Sequence, residues 1–264
     1  MTVGSSDIAL AVRNLSIRFG GLTAVESATF DVKDGEVLSL IGPNGAGKTS
    51  AFNAITGYIE AAKGDILYRG TRLNGLKPNQ VAELGVVRTF QKTSVFSGQT
   101  VLDNILIGLH LRSKQKPLAI IFRLPWVVRE ERELVEEARK VLAFTGLSAR
   151  ADEMASSLPY GELRLLEVAI ALAAKPKLLL LDEPVSGMNP AETSSFMRML
   201  ARIRDLGITV LLVEHDMKMV MGVSDRVVCL NQGRIIADGP PAQIQKDPQV
   251  IRAYLGERYA RAEG

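Results

Sequence analysis

Apolar and polar positions alternate from the start of the chain: Ile8, Leu10 and Val12 take every second place, and Ala24 to Val32 repeats the pattern after Gly20-Gly21. A period of two marks strands with one buried face, so the pattern predicts an antiparallel opening. At Val37 to Ile41 the alternation gives way to an apolar run, as in a strand covered on both faces. That run leads into the glycine-rich Gly42 to Gly47 and a helical stretch beginning near Lys48. Gly64, Gly70 and Gly75 punctuate a further strand pair, and Val86 to Phe90 reads as a short strand ending at Gln91.

From about Ser94 the spacing becomes helical, over Val101 to His110, Arg129 to Phe144 and Gly161 to Ala174. Residues 93–173 are therefore expected to form a helical subdomain inserted into an α/β core, the whole of 1–264 being one composite domain. Within the insertion, Arg112 to Val128 is basic, contains Pro117 and Pro125, lacks periodicity and reads as an irregular connection. Leu178 to Leu181 returns to buried strand, Pro190 to Asp205 is an amphipathic helix, and Ile208 to Val213 is a strand followed by a helix through about Val223. Arg226 to Leu230 and Arg234 to Ala237 flank Asn231-Gln232-Gly233 as a hairpin, and 247–264 is expected to be a helical tail.

Composition narrows the class. Hydrophobic residues at 47% and charged residues at 23% exclude a disordered chain. Arg123 breaks Pro117 to Val128, two carboxylates end Leu178 to Leu181, and no run approaches the roughly 18 residues of a membrane span. The N-terminal MTVGSSDIAL has no basic segment followed by an apolar stretch, so no secretory signal is expected. The single cysteine, Cys229, cannot make an internal disulfide, reads as a core residue and suits a reducing cytosol. A net charge of +3 is too mild to select a partner. Aromatics at 5% are too sparse for stacking platforms, and no nucleic-acid partner is expected.

Gly42-Pro43-Asn44-Gly45-Ala46-Gly47-Lys48-Thr49 fits the phosphate-loop pattern. Its glycines let backbone N–H groups wrap phosphate oxygens, Lys48 neutralises charge, and the Thr49 hydroxyl can ligate Mg²⁺. The following helix points its positive end at the same place, and Ser50 adds a hydroxyl near the α-phosphate. Asp182 and Glu183 end a buried strand where open α/β sheets bind ligands. One of these carboxylates can hold hydrated Mg²⁺ and the other can accept a proton from water. His215 follows another apolar strand and could reach the same sheet edge. His110 has no partners at metal spacing.

Together these spacings resemble the nucleotide-binding subunit of an ABC transporter over nearly the whole chain. Gly42 to Thr49 looks like that family's Walker A, and Leu178 to Glu183 like its Walker B. Gln91 is similar to its Q-loop glutamine, His215 to its switch histidine, and Phe19 to the aromatic that stacks on adenine. Leu158-Pro159-Tyr160-Gly161-Glu162 aligns with the signature usually written LSGGQ, and Ser186-Gly187-Met188-Asn189 with the D-loop, Asn189 standing where Asp is common. Val87-Arg88-Thr89-Phe90-Gln91, Glu214-His215-Asp216-Met217 and Ile251-Arg252-Ala253-Tyr254-Leu255-Gly256 bring the resemblance closest to the ATPases of branched-chain amino-acid importers.

The resemblance implies a P-loop NTPase fold: a RecA-like core with an antiparallel β region and an inserted helical subdomain. It implies ATP and Mg²⁺ as ligands, with Lys48 and the loop amides of Gly42, Asn44, Gly45, Ala46 and Gly47 on the phosphates. Thr49 and Gln91 would ligate the metal and Asp182 would hold it through water. Glu183 would polarise the attacking water, His215 would contact the γ-phosphate, and Gly161 would act in trans on a nucleotide held by a second ATPase subunit. Two integral membrane permease subunits and, indirectly, an external solute-binding protein would complete an assembly at the cytoplasmic face of the membrane. Importers of urea and short amides share much of this pattern. The rival from another class is a soluble ABC-type switch without a permease. One departure bears on chemistry: Pro159 offers neither the signature serine's hydroxyl nor an N–H, and Glu162 puts an acid where Gln is usual.

Overall fold

The opening alternation forms a long hairpin of β1 (Ile8–Phe19) and β2 (Leu22–Lys33), extended by β4 (Lys63–Tyr68) and β5 (Thr71–Arg72) into an antiparallel sheet of order β2-β1-β4-β5. Residues 7–89, 95–110 and 125–254 are described, in a computed structural model. A second sheet has the order β10-β9-β3-β8-β7-β6, built from β3 (Val37–Ile41), β6 (Val86–Arg88), β7 (Leu178–Asp182), β8 (Thr209–Val213), β9 (Arg226–Asn231) and β10 (Arg234–Gly239). All neighbours in it are parallel except the β9–β10 hairpin. Every residue of β3, β7 and β8 is buried, which explains their loss of alternation.

These sheets lie in a compact unit made of the chain up to Arg88, Lys177–Pro184 and the chain from Leu200 onward. Its core joins Leu10, Val12 and Phe30 of the antiparallel sheet to Leu38 and Leu40 of β3 and to Phe52 and Ile55 of α1 (Lys48–Ile55). A smaller cluster around Ile41, Val227 and Cys229 takes in α7 (Met217–Val223) through Val220, α8 (Pro241–Ile244) through Ile244, and the helix at 248–254 through Val250. The six-residue α2 (Pro78–Glu83) is too short to show a period. Proline at its first position and the Gln80 side chain, accepting from the Lys77 N–H at 2.9 Å, define its start.

The second unit comprises Thr89–Pro176 and Val185–Met199, so it takes in residues beyond the 93–173 stretch read from helical spacing. Its helices are α3 (Val101–His110), α4 (Pro125–Thr145), α5 (Tyr160–Ala173) and the first part of α6 (Pro190–Asp205). Val101, Ile105, Leu142, Leu166 and Ala169 form its core. Two boundaries differ from expectation. α4 is described from Pro125 and so reaches into the segment read as irregular. β6 ends at Arg88, where its ladder with β7 runs out at Leu180, rather than at Phe90. Phe90, Gln91 and residues 111–124 lie outside the described residues, as does the last part of the expected tail, from 255. No helix among the described residues is long and apolar enough to cross a membrane.

Candidate functional site

Strand order assembles the site. β8 lies between β3 and β7, and Val213 is level with both Leu40 and Asp182. The residues that follow these three parallel strands, the phosphate loop after β3, Glu183 after β7, and Glu214 and His215 after β8, therefore emerge at one carboxyl edge.

Gly42 leaves β3 at φ 149°, and a Cβ there would lie 2.0 Å from the Leu230 carbonyl oxygen, so only glycine fits. The β9–β10 turn buttresses the loop, with the Gly233 N–H donating to Ala46 O at 3.0 Å. Lys48 is 8% exposed, and its Nζ donates to the carbonyls of Gly42 (2.6 Å) and Pro43 (2.8 Å). The ammonium is thus held against the loop that it is expected to serve. Asn44, Gly45 and Thr49 are exposed, and Ser50 is half-buried. Phe19 is half exposed at the tip of the β1–β2 hairpin.

Asp182 is 3% exposed, and its Oδ2 accepts from Arg88 Nη2 at 2.7 Å. Arg88 also donates through Nη1 to Asn53 Oδ1 at 2.6 Å and lies over the Phe52 ring, 5.5 Å from its centroid. The other Asp182 oxygen, Oδ1, is buried with no hydrogen-bond partner among the described residues. A metal-bound water would satisfy that atom, and with the Thr49 hydroxyl it gives an all-oxygen donor pair of the kind Mg²⁺ prefers. The described residues hold no cluster of three or more His, Cys, Asp or Glu fit to cage a metal.

Glu183 stands at φ 48°, its N–H donating to Val213 O at 2.8 Å, so the bond across β7 and β8 holds a conformation that a non-glycine residue rarely adopts. His215 Nδ1 lies 3.9 Å from Glu183 Oε1 and 3.7 Å from Glu214 Oε2. Glu214 has a fully buried side chain whose Oε2 accepts the N–H groups of His215 (3.0 Å) and Asp216 (3.3 Å). Arg88 and Glu214 lie within the motifs, but the sequence alone assigns them no role. Their signal was a charged residue beside strands that are otherwise buried.

In the second unit, the signature-like loop runs into α5 with Pro159 as its N-terminal flanking residue. Glu162, in the first turn, pairs with Arg150 (Nε to Oε2 3.0 Å), and Arg150 also bonds Glu153 at 2.9 Å. The acid that departs from the family pattern is therefore countered by a cation. Asn189 Oδ1 accepts the N–H groups of Ala191 (2.9 Å) and Glu192 (3.0 Å), capping α6 as an aspartate would. Gln91 lies outside the described residues, so its placement is not part of this geometry.

A P-loop edge carrying Lys48, Asp182, Glu183 and His215 defines a nucleoside-triphosphatase cassette, and the ABC transporter family profile matches residues 25–186. The chain belongs to the ABC transporter family and is one of its nucleotide-binding ATPases. A second profile, described as branched-chain amino acid ATP-binding cassette transporter, matches residues 234–260. The chain is 44% identical over 249 residues to the high-affinity branched-chain amino acid transport ATP-binding protein LivG of Salmonella typhimurium, spanning 94% of this chain and 98% of that one. Identity to the corresponding protein BraF of Pseudomonas aeruginosa is also 44%, with the same coverage. The solved ADP conformation of MJ1267, an ATP-binding cassette of an ABC transporter, is similar at a TM-score of 0.83 and 33% identity, over 95% of this chain and 99% of that one.

Proposed function

We propose that this chain is the ATP-hydrolysing subunit that energises an ABC importer of branched-chain amino acids. The observation that carries the reading is the shared carboxyl edge of β3, β8 and β7, with His215 and Glu183 3.9 Å apart beside the phosphate loop. The printed functions of LivG and BraF support the solute class.

In this reading Lys48 and the loop N–H groups of Gly42, Asn44, Gly45, Ala46 and Gly47 bind the β- and γ-phosphates. Ser50 reaches the α-phosphate, and Phe19 stacks on adenine. Bound Mg²⁺ supplies charge neutralisation across the phosphate oxygens. Thr49 and Gln91 would hold it directly, and Asp182 would hold it through a water. Glu183 takes a proton from the attacking water, whose oxygen bonds the γ-phosphorus as the bond to the ADP oxygen breaks. His215 contacts the γ-phosphate, its turn held by Glu214. Gly161 approaches a nucleotide bound by a second ATPase subunit. Two permease subunits span the membrane, an external solute-binding protein delivers the solute, and this chain docks at the cytoplasmic face. The related reading, an importer of urea or short amides, uses the same machinery.

Glu183→Gln is expected to keep ATP affinity while turnover falls by about 10² to 10⁴. Parental turnover in that variant would remove Glu183 from its role. In vesicles carrying the chain with its permeases, ATP hydrolysis stimulated by binding protein loaded with leucine supports the solute class; stimulation by urea or a short amide alone overturns it.

A further inference from the structure

Tyr160 occupies a position where the signature LSGGQ has glycine, and its ring does not project freely. At Gly187, where φ is 81°, an added Cβ would lie 2.7 Å from Tyr160 Cε1 and 3.3 Å from Cδ1. The ring therefore fills the space over that glycine. Its hydroxyl accepts from Arg164 Nη2 (2.6 Å) and Nε (3.1 Å), the guanidinium lies 5.1 Å from the ring centroid, and Arg164 is anchored in turn by Glu167 at 2.8 Å. One residue on, a Cβ at Gly161 would lie 2.8 Å from the Glu192 carboxyl carbon. That carboxylate also accepts the Asn189 N–H at 2.8 Å. The first two residues of α5 thus close on Gly187 and on Glu192 of α6, each contact made possible by a glycine.

We infer that Tyr160 is a positioning residue that locks the 158–162 segment, where the chain enters α5, to the 186–189 loop, so that both meet a second ATPase subunit as one rigid surface. The inference rests on the reading above that Gly161 acts in trans. A ring replaces the flexibility that a second glycine would bring, and stacking plus a forked guanidinium bond fixes its direction. Arg164 and Glu167 have side chains only 14% and 13% exposed, so the anchor is not a loose surface pair. Misplacing such a surface by an ångström is enough to cost a large factor in rate.

The test uses the purified full-length chain. Tyr160→Ala is expected to lower ATP turnover at saturating ATP by about tenfold or more. Affinity for a fluorescent ATP analogue should stay near the parental value, because the phosphate loop belongs to the other unit. Tyr160→Phe, which keeps the ring over Gly187, retains most of the turnover. Gly187→Ala, which puts a methyl in the ring's place, reproduces the turnover loss and likewise keeps the affinity. Hydrogen exchange of the 186–189 amides accelerates in Tyr160→Ala and not in Tyr160→Phe. Parental turnover in both Tyr160→Ala and Gly187→Ala, or a loss of affinity in step with turnover, overturns the inference. If the parental chain alone hydrolyses no ATP, the exchange rates at 186–189 decide the lock, while the proposed function is judged on the vesicles that carry the permeases.

Discussion

Arg88 donates to Asp182 at 2.7 Å with side chains 8% and 0% exposed, tying the last residue of β6 to the last residue of β7. Removing one member of a buried pair strands the other without water, which costs about 3 to 5 kcal/mol. Arg88→Met is therefore expected to shift the urea midpoint by that equivalent. Arg88→Lys should recover only part of it, since one ammonium cannot fork to both Asp182 and Asn53. A midpoint unchanged in Arg88→Met would show that the pair adds nothing.

Gly42→Ala tests the close approach behind the phosphate loop. The added methyl meets the Leu230 carbonyl, and no side chain there can rotate away from a backbone atom. The expected outcome is a loss of more than about 1 kcal/mol in thermal unfolding together with lost nucleotide affinity. Calorimetry and nucleotide titration on the same sample check both halves. Intact affinity would mean that the loop tolerates a displaced Gly42.

The pairing of Arg150 with Glu162 makes a reversible prediction. Arg150→Met leaves an uncompensated acid in the loop proposed to face a triphosphate, so turnover should drop and more ATP should be needed for half-maximal rate. Adding Glu162→Gln removes the acid and should restore both values. If the double variant is as poor as Arg150→Met, Arg150 acts through Glu153 or through packing instead.

Burial pushes the Cys229 thiol up to about 12 from an ordinary 9.0. The unfolded thiol ionises first, so between those values the folded state binds more protons than the unfolded one. Its stabilising contribution is complete below about pH 9 and disappears as pH rises towards 12. Unfolding free energy measured across that window should fall less steeply in Cys229→Val than in the parent. Equal slopes would remove Cys229 as a contributor. Below the window, iodoacetamide should label Cys229 only after unfolding.

Local pattern carried much of the fold. The β1–β2 hairpin, the strand entering the phosphate loop, and α6 from Pro190 to Asp205 all stand where period and turn residues place them. Each depends on neighbours a few residues away, where alternation or helical spacing records which face is covered. The helix over 125–128 escapes the pattern for a local reason of another kind, since a proline in the sequence reads as a breaker.

The chain by itself therefore determined which residue types are available for phosphate, metal and proton chemistry, because loop glycines, Lys48, Asp182, Glu183 and His215 stand at recognisable spacings. Only the tertiary structure decided what they stand beside. β8 inserts between β3 and β7 although it follows both in sequence, and this brings His215 to Glu183. Arg88 reaches Asp182 across 94 residues, and Tyr160 covers Gly187. Hydrophobic periodicity encodes how far a residue is buried, while the choice of partner depends on packing between elements, to which a one-dimensional period is blind.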